Sequence, residues 1–151
     1  MTIHKYYYQT TTLTMKPQLN DTFEYDFSFS WEQVLKYAEL SGDTNPVHVT
    51  ETYGNDSIFG KCIVHGYYSI SIFSKVYGTM LYPDGHILIS QSAKYVKPVF
   101  ADEVYTAVFT VTELLLDRNR VRYRNEIINK QTGELKVTGE AILMNKKYYQ
   151  P

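Results

Sequence analysis

The stretch from Tyr67 to about Leu81 constrains this chain more than any other. Ile70, Ile72, Phe73, Val76, Tyr77 and Met80 leave it almost no polar face apart from serines and Lys75. A helix with so little polar surface must be wrapped by the rest of the protein. The downstream half of the chain supplies the wrapping. Four runs read as strands: His86 to Val96, Glu103 to Leu115, Arg120 to Ile128 and Glu134 to Met144. The last alternates Leu135, Val137, Ala141 and Leu143 against Lys136, Thr138 and Glu140. The loop Asn129-Lys130-Gln131-Thr132-Gly133 before it has hairpin length and carries a glycine. A buried helix ahead of an antiparallel meander predicts an α+β fold, a sheet curled round a helix.

The wrapping begins upstream of that helix. Phe23, Tyr25, Phe27 and Phe29 alternate at strand period over Thr22 to Phe29. Ser30 and Gln33 have the spacing of a capping box, and Phe29 and Val34 that of a hydrophobic staple. Trp31, Val34, Leu35 and Ala38 line one face of the helix so opened, and Gly42 stops it. Asp43 to Gly66 is rich in Asn, Pro, Thr and Gly, which predicts loop with one short turn from Thr50 to Tyr53. Pro83-Asp84-Gly85 ends the buried helix with turn chemistry. Met1 to Leu13 reads as a loose end or a first strand. With 151 residues and no linker or repeat, one domain over 1–151 is expected.

Several function classes recede on composition. A net charge of -1 points to neither nucleic acid nor an anionic membrane. The run Ile63 to Leu81 carries His65, Ser69, Ser71, Ser74 and Lys75, so it does not read as a membrane span. Cys62 has no partner for a disulfide and suits a reducing cytoplasm. His4, His48, His65 and His86 show no metal-ligand spacing, and there is no phosphate-binding glycine loop. No metal and no resident cofactor are expected.

Two blocks carry candidate chemistry. In Ser41-Gly42-Asp43-Thr44-Asn45-Pro46-Val47-His48, a carboxylate and an imidazole lie five residues apart on a loop stiffened by Asn-Pro. Such a pair can hold one water, the carboxylate accepting from it and the imidazole trading a proton near neutral pH. The same residues also admit a structural reading, an Asp capping backbone groups and a core histidine. In Phe59-Gly60-Lys61-Cys62-Ile63-Val64-His65-Gly66, a glycine opens the buried helix. Helix N-termini present unpaired N–H groups, and glycine lets a ligand approach them, which suits an oxyanion site. Close packing alone would also explain Gly66, and His65 reads as a core residue.

The order of these blocks, with Gln91-Ser92-Ala93-Lys94-Tyr95-Val96-Lys97-Pro98-Val99-Phe100-Ala101-Asp102-Glu103-Val104 as a third, resembles the MaoC-like family, which includes (R)-specific enoyl-CoA hydratases. The resemblance spans roughly Phe29 to Met144 and implies a hot dog fold with water adding to a trans-2-enoyl thioester. Asp43 and His48 match the catalytic pair, and Gly66 the backbone donor to the thioester carbonyl. Asn45 and Ser71 match positions that shape the site. Tyr67 and Tyr68 are bulkier than the aliphatic residues usual there, which implies a short acyl tunnel. Cys62 and Thr50 depart from the common pattern without removing a proposed catalytic group.

The family further implies coenzyme A thioester as substrate rather than cofactor, and at least a homodimer. Arg118, Arg120, Arg122 and Arg124 keep same-face strand period. They read either as a solvated outer face or, at Arg122 and Arg124, as contacts to coenzyme A or carrier-protein phosphate. The expected activity is a hydro-lyase of fatty-acid metabolism, run as hydration or dehydration. A 3-hydroxyacyl-carrier-protein dehydratase, a hot dog thioesterase and a non-catalytic acyl-CoA binder remain alternatives.

Overall fold

The computed structural model describes residues 5–6, 16–82 and 85–151. Its first long helix, α1 (Trp31–Ser41), begins where the capping box places it. The Gln33 N–H donates to the Ser30 hydroxyl at 3.2 Å, and the Ser30 N–H donates to the Gln33 side chain at 2.9 Å. Gly42, at φ 77°, closes it with an N–H donated to the Ala38 carbonyl. Where one short turn was expected there are two short helices, α2 (Pro46–Val49) and α3 (Glu51–Asp56). Asn45 caps the first, which the proline at its start favours.

The strands are β1 (Lys5–Tyr6), β2 (Thr22–Ser28), β3 (Ile87–Gln91), β4 (Lys94–Tyr95), β5 (Val104–Leu115), β6 (Arg120–Asn129) and β7 (Leu135–Met144). They form one sheet in the order β1-β2-β5-β6-β7-β3, with β4 also on β7. All pairs are antiparallel except β1 with β2. Of Met1 to Leu13, only Lys5 and Tyr6 fall among the described residues, as that short strand. Pro83 and Asp84 of the expected turn lie outside them.

The central helix, α4 (Gly66–Thr79), lies on the inner face of this sheet. Its Phe73 and Tyr77 meet Phe109 of β5 at ring distances of 5.6 and 5.3 Å, both edge-on. Fully buried Phe109, Ile127, Val137 and Leu143 from three strands complete the core around it. This is the α+β arrangement the sequence predicts.

Four expectations need correction. The wrapping of α4 is one-sided: Tyr67, Ser71, Ser74 and Lys75 are exposed, because a single sheet covers a single flank. The meander holds only for β5, β6 and β7, since β3 crosses to the far side of β7 while β2 pairs with β5. The run His86 to Val96 is not one strand. It breaks at Ser92–Ala93 because the backbone there presses on Gly139 of β7, where a Cβ would lie well inside 3.0 Å of the Ser92 carbonyl oxygen. Lys136, expected on the outward face, is 5% exposed. The chain at Val96 and Lys97 folds beside it, both N–H groups donating to its carbonyl, and its ammonium pairs with Glu134 at 2.5 Å.

Candidate active site

Asp43 leaves α1 immediately after its glycine stop, and His48 sits near the end of α2. The intervening turn is held by its own polar groups. The Asn45 N–H donates to Asp43 Oδ1 at 3.3 Å, and the Val47 N–H donates to the Asn45 side chain at 3.2 Å. Asn45 thus shapes the loop by capping α2. The fold brings an oxygen of the exposed Asp43 carboxylate, a ring nitrogen of His48 and one of His65 within 4.8 Å of one another.

The hydrogen bonds fix which nitrogens are available. His48 Nδ1 lies 2.8 Å from the Ile63 carbonyl oxygen, which can only accept, so Nδ1 carries the proton. The lone pair is therefore on Nε2. Burial holds the His48 imidazole below its ordinary pKa, outweighing the Ile63 bond and the Asp43 charge that favour protonation. A neutral imidazole with one open lone pair beside a carboxylate is the arrangement needed to take a proton from water.

His65 is the residue that sequence reasoning assigns to the core alone. It is 1% exposed, but its ring stacks on His48 at 3.9 Å with planes 27° apart. Its Nε2 lies 2.9 Å from the Asp43 backbone carbonyl, so Nε2 is the donor. Its Nδ1 is then a buried acceptor that finds no partner among the described residues. Such an atom costs on the order of 1–3 kcal/mol. Tyr37 of α1 meets the edge of the His65 ring at 4.9 Å and stacks on Tyr68 at 4.6 Å. No sequence signal marked Tyr37, because only folding brings α1 against the start of α4.

The same three side chains form a group that could hold a metal ion, each offering one ligand atom. A carboxylate beside an imidazole is equally suited to sharing a proton with water.

Gly66 is the first residue of α4, where backbone N–H groups have no partner within the helix. It also borders a cavity of about 220 Å³ lined by Phe59, Ile63, Val64, Ser69, Tyr95 and Val99, among others. Tyr95 lies so close that a Cβ on residue 66 would sit 3.0 Å from its ring. Ser69, one turn in, is buried and donates to the Gly66 carbonyl at 2.7 Å.

The remaining expected residues are not members of this cluster. Tyr67 and Ser71 share the exposed flank of α4, Tyr67 at 79% exposure. Tyr68 instead turns inward onto Phe29 at 4.4 Å. Arg122 and Arg124 are on the sheet face opposite the buried Val121 and Tyr123, away from α4. Arg122 is held by Glu113 at 2.8 Å and Glu140 at 3.5 Å, and Arg124 lies 3.6 Å from Glu126. Their charges are locally balanced, which favours the outer-face reading. The Cys62 thiol is pushed up by burial, away from nucleophilic character.

Comparison with known proteins points the same way. The model of the MaoC like domain family matches residues 9–135. An (R)-specific enoyl-CoA hydratase of Rhodospirillum rubrum is 36% identical over 117 residues, 78% of this chain and 80% of that protein. One from Aeromonas caviae is 36% identical over 115 residues, 76% of this chain and 85% of that protein. The solved structure of the (R)-hydratase from A. caviae involved in PHA biosynthesis superposes with a TM-score of 0.79 at 32% identity, covering 85% of this chain and 96% of that one.

Proposed function

The chain belongs to the MaoC-like domain family, and from that premise we propose that it is a hydro-lyase of hot dog fold acting on enoyl-CoA. It adds water to trans-2-enoyl-CoA to give (R)-3-hydroxyacyl-CoA, or runs the reverse dehydration. The observation that carries the reading is the neutral His48, its Nε2 open beside the Asp43 carboxylate. In the forward direction a water held between them gives one proton to His48 Nε2 while its oxygen bonds C3. The C2–C3 electron pair moves toward the thioester carbonyl, and the Gly66 N–H donates to the oxygen as its negative charge grows. Return of a proton to C2 completes the addition.

The test is a spectrophotometric assay with crotonyl-CoA. Loss of enoyl absorbance without release of free thiol is expected, and thiol release would instead assign a thioesterase. Because the reaction needs neutral His48 and burial lowers its pKa, activity persists as the pH falls to the ordinary histidine value of 6.5. The kcat/KM profile should decline only below that point, and a midpoint above it would contradict the role of His48. In a chain-length series, Tyr95 set against Gly66 at the cavity favours short acyl groups, so preference for long chains would count against this reading.

The assembly we propose is a homodimer joined at β3. Ile87, Leu88 and Ile89 of this edge strand are 59%, 48% and 40% exposed, an apolar edge of the kind proteins cover. Sedimentation at micromolar concentration should give a dimer or a higher state, and a monomer would refute it. Among the described residues no helix is long and apolar enough to cross a membrane. The cytoplasm is our proposal for its compartment, in keeping with the unpaired Cys62.

A further inference from the structure

We propose that His65 is a positioning residue for this site, holding the ring plane of His48 by stacking and the backbone of Asp43 by its Nε2–H. One side chain then ties both reacting groups to the start of α4. A histidine that only filled space would be replaced at no loss by an apolar ring, since its Nδ1 is buried without a partner among the described residues. What the imidazole does that another residue would not is contained in two contacts, the 2.9 Å bond to the Asp43 carbonyl and the 3.9 Å stack on His48.

The backing is rigid. Behind His65 stands a column of rings, Tyr37 at 4.9 Å, Tyr68 stacked on Tyr37, and Phe29 on Tyr68 at 4.4 Å. Phe29 and Tyr37 come from the β2–α1 region and Tyr68 from α4, so the column is anchored in two elements. The segment Ile63 to Gly66 thereby serves the site four ways. Ile63 accepts from His48, His65 flanks His48 and donates to Asp43, Val64 fastens the segment to Val99 at 2.8 Å, and Gly66 opens the helix.

Two variants separate the contacts. His65→Gln keeps an N–H donor near the Nε2 position and removes the ring. His65→Phe keeps the ring and removes the donor. The measurements are kcat and KM for crotonyl-CoA, together with imidazole ¹⁵N spectra of histidine-labelled protein. Each variant is expected to lower kcat on the order of 10–100-fold, with KM within about threefold of the parent, the signature of misplaced groups rather than lost binding. The His48 spectrum should report the Nδ1–H tautomer in the parent and in His65→Phe, and an averaged pair of tautomers in His65→Gln.

A His65→Gln protein with the parent's His48 spectrum would overturn the proposal. So would kcat within about threefold of the parent in either variant, or a loss borne by KM. The kinetic arm rests on the hydro-lyase reading and the spectral arm does not. A parent protein inert toward enoyl-CoA would defeat that reading and leave the His48 spectra to decide on His65.

Discussion

Exchange of His48 for asparagine is expected to lower kcat for enoyl-CoA hydration by about 10²–10⁴-fold, the usual contribution of a positioned general base. Asparagine retains a side-chain N–H near the Nδ1 position, so the Ile63 carbonyl keeps its donor and α2 is not undermined. What disappears is the Nε2 lone pair. Asp43→Asn should fall by a similar factor for a different reason: the amide presents N–H where the carboxylate only accepts, and water loses its second acceptor. Asp43 is exposed, so this change carries little risk to folding. In both variants KM should stay within a few-fold, because the donor proposed for the thioester carbonyl, the Gly66 N–H, is left untouched. Steady-state kinetics with crotonyl-CoA decide the matter. If either variant keeps a tenth of the parent's kcat, the dyad is not the proton-transfer machinery.

Gly139→Ala should be the most damaging single-methyl addition in the sheet. The new Cβ falls well inside 3.0 Å of the Ser92 carbonyl oxygen, and that oxygen is not free to retreat. The Ser92 N–H donates to the Glu140 carbonyl at 2.8 Å, and the Glu140 N–H donates to the Ser92 hydroxyl at 3.0 Å. Relief requires breaking one of these or shifting the edge. Overpacking of this kind costs about 3 kcal/mol. For a chain of this size that lowers Tm by roughly 6–12 °C. Thermal melts followed by circular dichroism would show it, and a drop below about 2 °C would mean that the edge strand gives way freely.

Much of this fold is legible in the residues. Ser30 and Gln33 place the start of α1 because capping is local chemistry, and Gly42 places its end for the same reason. Asp43 and His48 can be paired from sequence because the turn joining them is short and stiff. His65 cannot be added that way, since twenty-two residues separate it from Asp43 and nothing local says that α1 and the start of α4 converge. The broken edge is hidden for a related reason. Ser92 and Ala93 look like ordinary strand residues, and the cause of the break is Gly139 in another strand. Lys136 misleads through alternation, which predicts a side chain's face and not what later folds over that face. The arginine period on β6 does mark a shared face, but the carboxylates of Glu113, Glu140 and Glu126 that occupy it come partly from neighbouring strands.

The strand order also sets a schedule for synthesis. β3 is made before its partner β7, which ends at Met144. β2 waits likewise for β5. At roughly 5–20 residues per second, a growing chain carries Ile87, Leu88 and Ile89 without a neighbour for some seconds. During that interval the strand that pairs them has not been made, so this sheet cannot close stepwise in the order of synthesis.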